Sequence, residues 1–377
     1  MVYILMGTRK NNKSSNKFRK TRSKRQRGGG TISSRNRDAV PNIKRTDLDI
    51  RKAVNSVCST NVLVRTNAEA KYGNISNWDV SLVTNMKELF SGKESFNSDI
   101  SRWDVSNVTN MEFMFYRALA FNQPIGGWDV SNVTNMAGMF YSALAFNQPI
   151  GGWDVSNVTN MADMFGIALA FNQPIDGWDV LNVTNMEFMF YGALAFNQPI
   201  GDWVVSNVTN MAAMFYRALA FNQPIGGWNV SNVTNMESMF YGALAFNQPI
   251  GDWVVSNVIF MQGMFDGARA FNQPIGCWDV EKVTNMESMF YDALAYDLTM
   301  LQPKKSEDRT DAEKKEFIKQ CPEIKPLQQL IMNQYPNLKG TFKANGSIYN
   351  NADPEPIKGG KRKSKKSKRK FKKSKRK

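Results

Sequence analysis

The chain has no histidine anywhere in its 377 residues. That absence removes the commonest general acid and base, the commonest metal ligand, and every Ser-His or Cys-His nucleophile pair. Cysteine is scarce: Cys58, Cys277 and Cys321 lie far apart, with no CxxC pair and no even framework. Such usage suits a reducing compartment. Long apolar runs are missing too. The opening "MVYILMG" is apolar but too short for a secretory core, and basic residues follow it where they should precede it. Nothing approaches the ~18 apolar residues of a membrane span. Were translation to begin at Met6, "MGTRKN" would still lack the Ser or Thr of a myristoylation site, because Asn11 stands there. There is no phosphate loop, no nucleophile motif and no paired carboxylate outside the repeats described below. The sequence therefore points away from an enzyme, and no catalytic residue, cofactor or metal is expected.

Charge is plentiful but segregated. Residues 1–45 carry fourteen Lys/Arg against Asp38 alone, and residues 358–377 carry fourteen Lys/Arg and no acid. The whole chain is only +15, so the middle, 46–357, is left at −12. Both basic ends are expected to be disordered, since like charges repel and there is nothing to bury. Arg19, Lys20, Arg22, Lys24, Arg25 and Arg27 are the candidate polyanion contacts at one end. Lys361, Arg362, Lys363, Lys365, Lys366, Lys368, Arg369 and Lys370 are those at the other. Such blocks neutralise phosphates without reading sequence, and binding of that kind collapses as salt rises. A nuclear localisation signal and a solubilising tail that folds back on the acidic middle are the other readings.

The middle repeats itself. All nine tryptophans fall on one grid with a spacing of 25, from Trp78 to Trp278. A fixed period of this size, with no insertion, signals stacked coils that each touch only their neighbours. A propeller blade needs ~40 residues and does not fit. In "WDVSNVTNMEFMFYRALAFNQPIGG" (103–127), Trp103 and Val105 alternate with Asp104 and Ser106, a short strand pattern. Met111, Met114, Phe115 and Ala118 then recur at i, i+3, i+4 and i+7, which predicts one buried face of a short helix. Ser106, Thr109 or Asn110 would cap it. Pro124 stops it, and Gly126-Gly127 turns the chain toward the next tryptophan. The expected fold is an α/β repeat solenoid of about nine 25-residue strand–short helix units.

Comparing copies separates inside from outside. Trp103, Trp128 and Trp153 are identical, as are Met111, Met136 and Met161, and Phe115, Phe140 and Phe165. These, with Met114, are the expected repeat core. Glu112-Phe113, Ala137-Gly138 and Ala162-Asp163 differ between copies, as do Arg117, Ser142 and Ile167, so they are read as the solvent side. Asn107, Asn122 and their copies are polar yet repeated, as an amide ladder between stacked coils requires. Six Asn-Val-Thr sequons, at Asn107, Asn132, Asn157, Asn182, Asn207 and Asn232, are read as one repeat position copied. Asp104, Asp129, Asp154 and Asp179 are expected to accept turn N–H groups and not to hold a cation, because the column breaks at Val204, Asn229 and Val254. Tyr116, Tyr141, Tyr191, Tyr216 and Tyr241 lie away from the Met/Phe stripe. They either pack on the neighbouring coil or form an aromatic column at the surface, the candidate protein-binding residues.

The recurring "W-D-V-S-N-V-T-N-M-x-x-M-F", followed by "F-N-Q-x-I", resembles the repeat of the BspA-like surface protein family. That is a leucine-rich-repeat-like group found in bacteria, some protists and large DNA viruses. The resemblance covers about residues 46–300, and "YGNISNWDVSLVTNMKELF" (72–90) resembles the family's opening unit. It implies a leucine-rich-repeat-like solenoid that binds other proteins, and it brings no catalytic residue. The chain departs from the bacterial members in lacking a signal segment and in carrying basic tails, which argues against a cell-surface adhesin. Tails such as "KGGKRKSKKSKRKFKKSKRK" resemble those of giant-virus proteins and point to a viral source. The expected location is then the host cytoplasm or nucleus, or a virion.

The organisation expected is a basic tail (1–45), an N-terminal cap (46–75), the solenoid (76–300), a C-terminal helical cap (301–335), and a linker with the second tail (336–377). "DLDIRKAVNSV" (47–57) reads as a helix pointing Leu48, Val54 and Val57 inward. "TDAEKKEFIKQC" (310–321) and "LQQLIMNQY" (327–335) read as helices over the far end. Two functions follow. One is a non-enzymatic interaction scaffold with an unidentified protein partner. The other is a virion or nucleic-acid-associated structural protein, tethered to polyanions by its tails.

Overall fold

Each 25-residue unit from Trp78 to Cys277 closes into one coil, and a ninth coil, described as far as Asp297, stacks on these eight in register. Coil 1 begins at Trp78 and coil 9 at Trp278. The structure is a computed structural model and describes residues 44–297. Both expected C-terminal helices, both tails apart from Lys44 and Arg45, and all fourteen candidate polyanion contacts lie outside the described residues.

The backbone of a coil differs from the expected strand and helix. Among the described residues the coils hold no α-helix, and their only β pairing is a chain of single parallel bridges, from Asn85–Asn110 to Phe260–Asn285. The stretch predicted as a helix sends every second N–H to the next coil. Met111, Phe113, Phe115 and Arg117 donate to the carbonyls of Asn135, Ala137, Met139 and Tyr141 at 2.8–3.0 Å. The amides between them close four-residue turns: Met114 donates to Met111 at 3.1 Å and Ala118 to Phe115 at 3.0 Å. Half the amides are thus committed outside the coil, so an i→i−4 ladder cannot form. Two successive turns still send Met111, Met114, Phe115 and Ala118 inward, and all four are fully buried. The side-chain pattern was that of a helix; the backbone is not.

The third residue of each such turn has a positive φ, as in a type II turn. In coil 2 these are Phe113 (53°) and Arg117 (55°), and both positions are left-handed in all nine coils. Glycine is the natural occupant there, and Gly92, Gly138, Gly192, Gly242, Gly263 and Gly267 use it. Elsewhere a side chain is held at a cost of about 1–2 kcal/mol per residue. Ile167, β-branched at φ 54°, is the most strained by type. Ile167→Gly should therefore raise stability by about 1 kcal/mol, read as a higher denaturant midpoint. Gly192→Val should lower it.

Packing follows from the repeat. In coils 2–8 nine apolar positions point inward; in coil 4 they run from Trp153 to Ile175 and none is more than 3% exposed. Phe115, Phe140, Phe165 and Phe190 stack coil upon coil at 5.6–5.7 Å between ring centres. Phe121, Phe146 and Phe171 form a parallel ladder at 5.9–6.0 Å. The two ladders touch within each coil, at 3.9 Å between Phe115 and Phe121. From Trp103 to Trp278 each tryptophan Nε1–H donates to the carbonyl of the isoleucine 28 residues before it, as Trp153 does to Ile125 at 3.1 Å. The expected amide ladder is present. Asn122 Oδ1 accepts from the N–H of Asn147 at 3.0 Å and from Gln148 Nε2 at 2.9 Å. The sequon asparagines donate backward, Asn132 Nδ2 to the Ser106 carbonyl at 2.7 Å.

The first coil has no coil before it, and the cap supplies what a neighbour would. α1 (Ile50–Val57) lays Ile50, Ala53 and Val54 on the core. Leu48, expected inward, is 93% exposed, because the helix starts only after it. α2 (Val62–Tyr72) follows, with Asn61 Oδ1 accepting from the N–H groups of Leu63 and Val64. The Tyr72 carbonyl accepts from Trp78 Nε1 at 2.9 Å, in the role isoleucine plays elsewhere. Asp47 accepts from the Thr84 N–H at 2.9 Å, in place of a preceding threonine carbonyl. Arg45 is buried with its guanidinium 4.6 Å from the Trp78 ring centre, so this residue of the expected basic tail belongs to the cap. Cys58, on the same cap, is a free thiol that burial pushes up to about 11, away from a reactive thiolate. Cys277 is disulfide-bonded, a bond that three isolated cysteines did not announce.

Candidate functional site

The outward side of the double turn is a flat face running the length of the stack. Four positions per coil form it: Glu112, Phe113, Tyr116 and Arg117 in coil 2, and Glu187, Phe188, Tyr191 and Gly192 in coil 5. Most other positions repeat nearly letter for letter. Here the copies diverge: coil 3 has Ala137, Gly138, Tyr141 and Ser142, and coil 4 has Ala162, Asp163, Gly166 and Ile167.

The five candidate tyrosines all lie on this face, each half-buried. They do what both sequence readings allowed, stacking across coils while keeping an open edge. Tyr116 and Tyr141 stack at 5.4 Å, Tyr191 and Tyr216 meet at 5.1 Å, and Tyr216 and Tyr241 stack at 4.4 Å. The column is interrupted at Gly166 and Asp266. Tyr141 lies across the first gap, close enough to collide with any Cβ placed on Gly166. Phe113 likewise covers Gly138 and meets Tyr116 edge-on at 5.6 Å; Phe188 and Tyr191 repeat that contact at 5.7 Å. Arg217 holds its guanidinium 5.9 Å from the Tyr216 ring centre, a cation on the aromatic column.

Acids sit among these rings. Burial, helped by Glu187 on the next coil, pushes the Asp163 carboxyl up to about 6. Burial and Asp292 do the same to Asp266, also to about 6. Burial raises Tyr141 and Tyr216 as well, with Asp163 contributing at Tyr141 and Tyr241 at Tyr216. The stack causes these shifts: parallel coils in register bring side chains of successive copies to about 5 Å, whatever their charge.

The other acidic column accepts turn N–H groups, as expected. Asp129 Oδ1 accepts from the Ser131 N–H at 3.1 Å and from its hydroxyl at 2.6 Å, and those bonds hold the carboxyl below its ordinary range. Asp104 and Asp154 make the same pair, and Asp179 accepts from the Leu181 N–H. Among the described residues no three His, Cys, Asp or Glu side chains converge as metal ligands, and no helix is long and apolar enough to cross a membrane. Trp103, Trp128, Trp153, Met111, Met114 and Phe115 are core, none more than 4% exposed. Sequence reasoning missed Asp163, Glu187, Glu237 and Asp266 as members of the tyrosine face. The signal was present: glycine recurs at two of the divergent positions, which marks left-handed backbone on an outward turn.

A comparison with curated proteins finds no match. Among solved structures the chain is similar to the T. pallidum leucine-rich repeat protein TpLRR, at 11% identity and a TM-score of 0.26. That match covers 38% of this chain and 62% of that one. Three family matches, to residues 58–172, 123–228 and 221–314, together span the array, and the chain belongs to the family described as Mycoplasma protein of unknown function, DUF285.

Proposed function

We propose that the protein is a non-enzymatic interaction scaffold whose solenoid presents the tyrosine face to a protein partner. One observation carries the reading. Divergence between the copies is concentrated on this face, although its backbone would be best served by glycine at two positions in every coil. Core packing does not require Phe113, Ile167 or Arg217 there, since these side chains point outward. Recognition does, and half-buried tyrosines are the residue type that anchors protein interfaces. A stack of similar coils also allows many weak contacts to act together.

The second reading, a virion or nucleic-acid-associated protein held by its tails, rests on the fourteen Lys/Arg at each end. A viral source, and with it a place in the host cytoplasm, nucleus or virion, rests on the likeness of those tails to giant-virus proteins.

The test is affinity capture with three forms of the chain: intact, Tyr191→Ser/Tyr216→Ser/Tyr241→Ser, and lacking 1–43 and 358–377. The shorter form keeps Arg45, which the cap needs. If the face binds, the triple variant loses its dominant partner by more than tenfold, at about 2 kcal/mol per anchoring tyrosine. The tail-less form, treated with nuclease, keeps it. Retention by the triple variant, with loss on tail removal or nuclease treatment, would move the activity to the tails.

A further inference from the structure

We infer that the outward face of coils 4–8 is a docking surface for a Lys/Arg-rich segment, and that its occupant is residues 358–377 of the same chain. The charge is one-sided. From residue 118 to residue 268 the chain carries ten acids and a single base, Arg217. Four of those acids, Asp163, Glu187, Glu237 and Asp266, share a face with Tyr191, Tyr216 and Tyr241. None of the four forms an ion pair among the described residues, whereas Glu112 pairs with Lys87 at 2.8 Å and Asp292 with Arg269 at 2.8 Å.

Glu187 accepts from Asn210 Nδ2 at 3.0 Å and Glu237 from Gln262 Nε2, so these two are met by neutral amides and not by a cation. Register sets Asp163 beside Glu187 on the adjacent coil and Asp266 beside Asp292, whose own charge Arg269 already pairs at 2.8 Å. Burial of Asp163 and Asp266 adds to the cost of these like neighbours, and an incoming ammonium or guanidinium would relieve both. The rings beside them accept cations too. Arg217 already rests over Tyr216, as Arg45 rests over Trp78 at the first coil.

The tail has the complementary composition and can reach. Residues 358–377 hold fourteen Lys/Arg and no acid. Sixty residues separate them from the last described coil, and that length spans ~90 Å even if wound wholly into helix. Coil 9 to coil 4 is five steps of about 5 Å. Tethering makes the contact intramolecular, so it does not depend on protein concentration. It uses the face of the proposed function, and a partner would have to displace the tail.

Zero-length carbodiimide cross-linking of the full chain, mapped by mass spectrometry, tests this without any partner. Its failure therefore leaves the partner reading standing. The expected result is tail lysines joined to Asp163, Glu187, Glu237 and Asp266 at least tenfold more often than to Asp129, Asp154 and Asp179. The yield should be unchanged on tenfold dilution and should fall in high salt. Absent cross-links, or equal yields on both acidic columns, would overturn the docking site. A yield that falls on dilution would place the tail on a second copy and overturn the intramolecular assignment.

Discussion

Phe165→Ala should lower the stability of the array by about 3–5 kcal/mol, the cost of a large cavity in a close-packed core. Phe165 is fully buried, 5.7 Å from Phe140 on one side and from Phe190 on the other, and 4.0 Å from Phe171 in its own coil. Truncation thus weakens both interfaces of coil 4 at once. In a stack whose stability is a sum of coil and neighbour contributions, that is where cooperativity breaks. Guanidinium unfolding followed by tryptophan fluorescence should resolve two transitions, because Trp78 to Trp153 report on one side of the break and Trp178 to Trp278 on the other. Leu169→Ala, at a residue 37% exposed, is the control and should move the midpoint little. A single transition with a shift no larger than the control's would mean that the ring ladders contribute little to stability.

The ladders were legible because they are a matter of side-chain position, and repetition exposes position directly. Trp103, Met111, Met114 and Phe115 could be assigned to the interior from identity between copies, whatever backbone carried them. The backbone itself was not legible from periodicity. A spacing of i, i+3, i+4 and i+7 is satisfied by a helix and equally by two four-residue turns in series. The discriminating signal was glycine at positions 92, 138, 192, 242, 263 and 267, where a helix has no use for it. On the cap, Leu48 was assigned inward because it continues an apolar pattern, but the chain before Ile50 is not helical, and the pattern has no face to continue. The acids of the tyrosine face escaped notice for a different reason. Asp163 and Glu187 are twenty-four residues apart, and only coil-on-coil register makes them neighbours.

Register also decides which changes of length the fold accepts. Deleting residues 178–202, one whole coil, joins Gly177 to Trp203, a junction that recurs throughout the array. Phe165 then stacks on Phe215, Asn172 Oδ1 accepts from the Asn222 N–H, Trp203 Nε1 donates to the Ile150 carbonyl as Trp178 did, and Trp228 Nε1 takes over the Ile175 carbonyl. Every ladder closes. The expected protein is folded, with a denaturant slope lower by about a ninth, since that slope follows the surface exposed on unfolding. Deleting residues 178–189 removes half as much chain and should do far more damage. Gly177 then meets Phe190, and the thirteen residues left before Trp203 cannot close a 25-residue coil. The facing sides of coils 4 and 6 lose their cover, at about 1.5–3 kcal/mol for each large apolar side chain exposed. Circular dichroism and guanidinium unfolding of the two deletions separate the outcomes. If the half-coil deletion unfolds no earlier than the whole-coil one, stacking in register is not what holds the array together. The ordering expected here makes duplication of whole coils the one change of length that leaves every contact in place, which is why this chain says nearly the same thing nine times.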